Sequence, residues 1–334
     1  MQNAKSISFI VACYNCANFI VSTLVDLIQH IPLSISEYEI ICVDDCSTDN
    51  SLIVLQDFAK SYPQVNVFHH EHNLRQGGAR NTGIKNAKGK YICFVDQDDT
   101  IPLYPLEEFI SEMDSEKLDI MMCDAFFQQP DFTMLYTPGL TCSENNVLSG
   151  IDVFDKNYMI EGGMLGVWAS IFRRDYILTL PIFAEKVRVE DADWMMRAIG
   201  KSSRLKYKPS AIYNWMYYAN SQSHEMSAEM RADLVRRGLR EIEVAKELKQ
   251  YSENAFAYCY DDGIQSIKSA ANALWKRYSY DYRYTFTKQF KNSERKKVLF
   301  LNVNCRCFLL FQFPKISLLL MSITSLLFKL IRKK

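Results

Sequence analysis

Tyr91-Ile92-Cys93-Phe94-Val95-Asp96-Gln97-Asp98-Asp99-Thr100 decides how the rest of the chain is read. Its first five residues, apolar and rich in aromatic and β-branched types, read as a buried strand. Three carboxylates crowd the point where that strand stops. Like charges packed this closely repel one another, and a divalent cation relieves the repulsion most directly. Taken alone, a solvated acidic turn is the plainer reading. The surrounding sequence argues for a site.

Three strand-and-helix units precede the stretch. Ser6-Ile7-Ser8-Phe9-Ile10-Val11-Ala12-Cys13 is an apolar run ending at Tyr14-Asn15, followed by a helix over residues 19–30, with Ile20, Leu24, Leu27 and Ile28 at helical spacing and Pro32 beyond its end. Tyr38-Glu39-Ile40-Ile41-Cys42-Val43 is a second strand, closing on Asp44-Asp45-Cys46-Ser47-Thr48-Asp49-Asn50-Ser51. Asp49 or Ser47 is placed to cap the helix that carries Leu52, Leu55, Phe58 and Ala59. Val65-Asn66-Val67-Phe68-His69 is a third strand, and the glycine-rich turn Gln76-Gly77-Gly78-Ala79-Arg80-Asn81 leads into another helix.

Four such alternations predict an α/β fold, a doubly wound and mostly parallel sheet with right-handed crossovers. Ligands in these sheets bind beyond the carboxyl ends of the strands. Tyr14-Asn15, Asp44-Asp45 and Asp96-Asp98-Asp99 therefore face one crevice.

Past Thr100 the alternation weakens. The pattern predicts a helix over 103–113, a strand over 118–123, a polar stretch over 128–149 and a strand or bend over 166–174. Glu190-Asp191 opens a helix whose apolar face carries Met195, Met196, Ala198 and Ile199. Residues 211–218 are an aromatic run. From Ser227 two helices follow, marked by Leu234, Leu239, Ile242 and Leu248 and by Ile264, Ile267, Ala271, Leu274 and Trp275. These lead to three expected regions: 1–224, divided at residue 100, a helical extension over 225–297, and an apolar basic tail over 298–334.

With 334 residues, 48% hydrophobic and 23% charged, the chain is long enough for a full core and is not a disordered protein. Its zero net charge is unevenly spread. The 49 residues from Phe286 onward hold 11 Lys and Arg against Glu294 alone, which leaves the rest acidic. A basic, greasy end points to a membrane surface rather than to nucleic acid. The two apolar runs on either side of Pro314 are each shorter than the roughly 20 residues that span a bilayer, so interfacial helices are expected there, with core packing or an oligomer contact as the alternatives. The ten cysteines read as reduced thiols: Cys42 and Cys93 sit in strand patterns, and Cys13-x-x-Cys16 has no second pair to complete a zinc set. Residues 7–13 are too short an apolar run for a signal peptide.

The motifs together resemble glycosyltransferase family 2, the inverting transferases of the GT-A fold. The resemblance rests on Ser8-Phe9-Ile10-Val11-Ala12-Cys13-Tyr14-Asn15, Val43-Asp44-Asp45-Cys46-Ser47-Thr48-Asp49-Asn50-Ser51, Ala79-Arg80-Asn81-Thr82-Gly83, the DxD-type Asp96-Gln97-Asp98-Asp99 and Glu190-Asp191. These occur in the family's order over residues 6–223, and the resemblance implies that 1–224 is a glycosyltransferase domain with a nucleotide-binding half (1–100) and an acceptor half (101–224).

It implies a nucleotide-diphosphate sugar donor, UDP-sugars favoured, lined by Tyr14, Asn15, Asp44, Asp45, Arg80, Asp96 and Asp98. Asp45 would accept from the base, while Asp44 reads equally as a strand-end cap. It implies Mg²⁺ or Mn²⁺ on Asp99, with Asp98 near the ribose and a metal-bound water, because hard carboxylate oxygens suit these cations. Asp191 would be the catalytic base toward an acceptor hydroxyl, its competing role being a helix N-cap. Glu190 and Trp168 would stand on the acceptor side, although Trp168 reads as readily as core. His224 is read as incidental.

The setting implied is surface-polysaccharide or glycan synthesis on a lipid-linked acceptor, at the inner face of the cell membrane. Two other functions fit parts of the sequence. Asp96-x-Asp98-x-Thr100 also satisfies the signature of haloacid-dehalogenase-like phosphatases, though that motif normally ends a first core strand. A non-catalytic, membrane-attached nucleotide-sugar-binding subunit would be expected to lack one of the acids.

Overall fold

The computed structural model describes residues 5–102, 105–129, 131–136, 140, 146–156, 159, 166–216, 227–277, 280–301, 310–312 and 314. The chain divides into two compact units, Met1–Tyr218 and Ala219–Lys334. The boundary expected at 224 lies outside the described residues.

In the first unit β1 (Ile7–Cys13), α1 (Ile20–His30), β2 (Tyr38–Asp44), α2 (Ser51–Ser61), β3 (Val65–His69), α3 (Arg75–Asn86) and β4 (Tyr91–Asp96) alternate as the periodicity predicts. Every residue of β1 and β2 is buried, as expected of parallel strands covered on both faces. The two polar intruders satisfy each other: Ser8 Oγ donates to Glu39 Oε1 at 2.7 Å. α1 turns Ile20, Thr23, Leu24 and Leu27 inward and stops before Pro32, where helical backbone is disfavoured. α3 contains three glycines and is a weak helix former on its own. It is held against the sheet instead: a side chain at Gly83 would put its Cβ 2.3 Å from Ile10 Cγ2.

The unit continues with α4 (Leu106–Ser115), β5 (Ile120–Gln128), β6 (Thr133–Tyr136), β7 (Val147–Leu148), α5 (Gly150–Asp155), β8 (Ser170–Arg173), α6 (Arg174–Ile177), α7 (Asp191–Lys201) and β9 (Leu205–Met216). Among the described residues the strands form one sheet ordered β3-β2-β1-β4-β8-β5-β9-β7, with β6 on β5. The first four run parallel. β8 then enters antiparallel to both β4 and β5, while β5 and β9 are parallel. The fold is thus α/β, its sheet parallel from β1 to β4 and mixed beyond them.

Three boundaries differ from expectation. α4 starts at Leu106, after Pro105, rather than at 103. β5 runs on to Gln128 because β9 pairs with it across register shifts at Cys123 and Asp124. The stretch 128–149, read as polar, carries β6 and β7, short apolar segments at the margin of the sheet.

The core beside β4 is aromatic. Phe94, Phe172, Phe183 and Trp194 interlock, with Phe183 stacked on Trp194 at 4.2 Å and Phe94 edge-on to it at 6.3 Å. Trp194 seats α7 on the sheet, and its indole N–H donates to Pro181 O at 3.0 Å.

The second unit contains α8 (Ala228–Leu248), α9 (Glu253–Arg277), α10 (Tyr280–Lys288) and α11 (Asn292–Phe300). Ser227 caps α8, its Oγ accepting from Met230 N at 3.1 Å. α8 and α9 touch backbone to backbone, since a Cβ on Gly238 would lie 2.4 Å from Gly263 O. Leu239, Ile242, Ile267 and Leu274 fill the core around that crossing. Among the described residues no helix is long and apolar enough to cross a membrane. Most of the expected interfacial tail lies outside the described residues.

Candidate active site

β4 ends at Asp96, and the chain turns at once, Asp99 N donating to Asp96 O at 3.2 Å. Gln97 locks this turn to the end of β1. Its Oε1 accepts from Tyr14 N at 2.7 Å and its Nε2 donates to Tyr14 O at 3.2 Å. Its own carbonyl accepts from Thr23 Oγ1 of α1 at 2.9 Å.

β9 holds the other side. Thr100 and Asn214 form a backbone bridge, Met216 N donates to Asp99 Oδ1 at 2.8 Å, and Tyr213 Oη donates to Asp99 Oδ2 at 2.7 Å. Asp99 is 3% exposed, whereas Asp98 is half-buried. Burial, reinforced by the charge on Asp96, pushes Asp98 up to about 6 and Asp99 up to about 8. The role expected for Asp99, a metal ligand, therefore meets a geometry in which both of its oxygens already accept hydrogen bonds.

The second group stands at the end of β2. Asp45 Oδ1 accepts from Leu74 N at 2.8 Å and pairs with His70 Nδ1 at 2.8 Å, while His70 Nε2 reaches Thr82 Oγ1 at 2.8 Å. Asp44 is buried, its Oδ2 beside His69 Nδ1 at 2.8 Å and accepting from Ser47 N at 3.3 Å. Its Oδ1 has no partner among the described residues. Asn15 sits at φ 51°, a conformation that asparagine tolerates better than most residues, and its Oδ1 accepts from Thr48 N at 2.8 Å. The loops after β1 and β2 are thereby sewn together, and Tyr14 backbone, Asn15, Asp44 and Asp45 share one end of the sheet.

The third group opens α7. Val189, just before Glu190, is held at φ 52°, where a β-branched residue is strained. Glu190 is 2% exposed and paired with Arg80 Nη1. Arg80 Nη2 donates to Asp96 Oδ1 at 2.9 Å. One guanidinium thus links the acidic turn to the start of α7. Burial disfavours its charge, but Asp96, Glu190 and Asp191 outweigh that and raise its pKa above the ordinary arginine value. Burial pushes Glu190 up to about 7 despite Arg80, with Asp191 adding repulsion. Asp191 itself is half-buried and lies close enough to act on both charges. Gly77 makes room for this joint: a Cβ there would lie 2.2 Å from Ala184 O and 3.0 Å from Glu190 Cγ.

Several expected site residues are thereby brought together. Arg80, expected on the donor, is instead 3% exposed between two carboxylates. Trp168 is core, stacked on Tyr213 at 5.1 Å and tilted against Trp215 at 6.0 Å. His224 lies outside the described residues. Gln97, His69, His70 and Tyr213 carry no mark in the sequence as site residues. Gln97 stands at the variable position of its motif, His69 and Tyr213 lie within strands, and His70 directly follows β3.

The donor set suits a hard cation. Among the described residues no cluster of three or more His, Cys, Asp or Glu is arranged to hold a metal unaided. The Asp98 and Asp99 carboxylates of the acidic turn nevertheless supply hard oxygen donors of the kind that Mg²⁺ or Mn²⁺ takes, and such ions complete their coordination with phosphate oxygens and water.

Residues 8–173 match the model described as Glycosyl transferase family 2. The chain carries a family 2 glycosyltransferase domain. It is similar to the uncharacterized glycosyltransferase YibD of Escherichia coli K12, 28% identical over 67% of this chain and 64% of that protein. The match thus spans less than two thirds of that relative's length. Among solved structures it resembles S. aureus TarS 1–349 in complex with UDP-GlcNAc, at 17% identity and TM-score 0.59 over 90% of this chain and 88% of the other. It also resembles the mannosyltransferase PcManGT of Pyrobaculum calidifontis with GDP-Man and Mn²⁺, at 15% identity and TM-score 0.51 over 97% of this chain and 88% of the other. Those likenesses establish the GT-A fold.

Proposed function

We propose that this family 2 protein transfers a sugar, with inversion, from a nucleotide-diphosphate donor to a hydroxyl of a glycan or lipid-linked acceptor. The observation that carries the reading is the Asp96–Arg80–Glu190 bridge. It joins the strand end suited to a nucleotide diphosphate to the helix start that bears a candidate base. The family match and the likeness to a UDP-GlcNAc complex support a nucleotide-sugar donor, with UDP favoured.

Asp45 accepts from the base, oriented by Leu74 N and His70, and the Tyr14–Asn15 loop lines the nucleoside. Asp96, Asp98 and Asp99 form the diphosphate end. Asp98 and Asp99 are the carboxylates that would hold Mg²⁺ or Mn²⁺, which when bound neutralises charge on the departing diphosphate.

Asp191 takes the proton of the acceptor hydroxyl as that oxygen bonds to the anomeric carbon. The carbon–oxygen bond to the diphosphate breaks on the opposite face, and its electron pair leaves with the nucleotide. A hydroxyl is a poor nucleophile until such a base removes its proton. Glu190, buried and paired, keeps Asp191 at the mouth of the site. The basic, apolar end of the sequence supports a peripheral membrane setting, in which a lipid-linked acceptor is at hand.

A phosphatase reading would make Asp96 the nucleophile. Asp96 instead accepts from Arg80 and closes the fourth strand of the alternation.

A thermal-shift screen of nucleotide-sugars, each with and without MnCl₂, tests the donor class, because a ligand bound by the folded state alone raises the melting temperature. A metal-dependent rise with one or more nucleotide-sugars is expected. No response to any of them would contradict the reading.

A further inference from the structure

Tyr213 lies deep in the first unit, fully buried on β9, and the reaction just described gives it no chemical task. Its hydroxyl nevertheless makes two hydrogen bonds of opposite sense, both to the acidic turn. It accepts from Asp96 N at 2.9 Å and donates to Asp99 Oδ2 at 2.7 Å. One oxygen therefore clamps both ends of Asp96-Gln97-Asp98-Asp99. The second oxygen of Asp99 is held by Met216 N, three residues along the same strand. Asn214, between them, bonds Thr100 through its backbone and through Nδ2 to Oγ1 at 3.0 Å. Trp168 stacks on the Tyr213 ring and fixes its orientation.

A turn that gathers three carboxylates tends to spread, since like charges a few ångströms apart repel. Gln97 pins its outer edge to β1, but the Gln97 contacts fall on backbone and leave the acids unconstrained. Among the described contacts the Tyr213 hydroxyl is the side-chain group that bridges the first and last residues of the turn, through the Asp96 backbone N–H and the Asp99 carboxylate. Hydrogen bonds that fix a carboxylate are the usual outer support of a metal site, and their loss typically costs about 10–100-fold in metal affinity.

We propose that Tyr213 is the positioning residue of the diphosphate and cation site: by holding Asp96 and Asp99 at fixed separation it sets the direction in which Asp98 is presented. This rests on the proposed nucleotide-sugar reading. Tyr213 touches no reacting atom and acts through the turn.

The test uses the full-length protein and Mn²⁺ with UDP as probe, following free Mn²⁺ by electron paramagnetic resonance. Tyr213→Phe keeps the ring and its stack on Trp168 but removes both hydrogen bonds. The expected result is a Kd for Mn²⁺ in the presence of UDP raised about tenfold or more, within the 10–100-fold range for loss of outer-shell partners. Ile40→Val, a core change on β2 away from the turn, controls for lost stability and should leave that Kd unchanged. If Tyr213→Phe binds Mn²⁺ as tightly as the wild type, the positioning role is wrong and the reading of the site stands. If Ile40→Val weakens Mn²⁺ as much as Tyr213→Phe does, the effect is general softening and the proposal also fails. A wild-type protein that takes up no Mn²⁺ with UDP overturns the underlying reading and this inference with it.

Discussion

Arg80 Nη2 donates to Asp96 Oδ1 at 2.9 Å, and through this contact α3 carries the acidic turn of β4. The same guanidinium holds Glu190 at the start of α7. Removing one partner of a buried ion pair leaves a charge without compensation and typically costs about 3–5 kcal/mol. Arg80→Ala should therefore lower the melting temperature by roughly 10 °C, given about 2–4 °C per kcal/mol in a unit of this size. Sugar transfer should fall at least tenfold. Arg80→Lys, which keeps the charge but loses the fork, should recover part of the stability and less of the activity. Differential scanning calorimetry alongside a donor-turnover assay checks both.

Glu241 in α8 gives a pH prediction separate from the site. Burial pushes it up to about 7 from the ordinary 4.5, with Arg237 opposing and Asp262 adding repulsion. A carboxyl raised on folding binds protons in the native state that the unfolded chain has released. Its contribution is therefore fully present below about pH 4.5 and lost as pH rises through about 7. The shift corresponds to roughly 3 kcal/mol at most. Glu241→Gln should show a gentler fall in melting temperature between pH 5 and pH 8 than the wild type, with donor binding unaffected. An unchanged pH slope would remove Glu241 as its source.

The α8–α9 crossing is equally testable. A methyl group at Gly238 has nowhere to go, since its Cβ would lie 2.4 Å from Gly263 O and 2.8 Å from Ile267 Cγ1. Gly238→Ala favours the helix intrinsically by up to about 1 kcal/mol. Overpacking against backbone typically costs about 1–3 kcal/mol. Net destabilisation of the helical unit is expected, read as a lowered urea midpoint with an unchanged slope.

The C-terminal segment yields a prediction from sequence alone. Deleting residues 314–334, which include Lys329, Arg332, Lys333 and Lys334, should move the protein from the membrane fraction to the soluble one. Unchanged fractionation would remove membrane contact as the role of this segment.

Much of the first hundred residues was legible because each strand there is short, apolar and closed by a turn of distinctive chemistry. The gathering of loops at the strand ends followed from that alternation, and the acids at Asp45, Asp96 and Asp191 were visible as motif positions. What the sequence hid depends on distant pairing. Gln97 is an unremarkable amide until it faces the Tyr14 backbone, and Tyr213 is one aromatic among several in residues 211–218 until β9 lies beside the acidic turn. The family resemblance put the metal on Asp99 and could not show that Tyr213 and Met216 reach that carboxylate from a strand more than a hundred residues later. The late strands were obscured for a related reason: β6 is four residues with Met134 and Leu135 exposed, and β9 pairs with β5 by slipping register.

The proposed role of Asp191 as the base is tested most directly by comparing Asp191→Asn with wild type in two assays. One is calorimetric binding of UDP with Mn²⁺, and the other is single-turnover sugar transfer from the best donor of the thermal-shift screen. Loss of a positioned general base costs on the order of 10²–10⁴ in rate. The account predicts unchanged UDP affinity and a loss of transfer of that size. Transfer at the wild-type rate, with UDP bound as before, would contradict it.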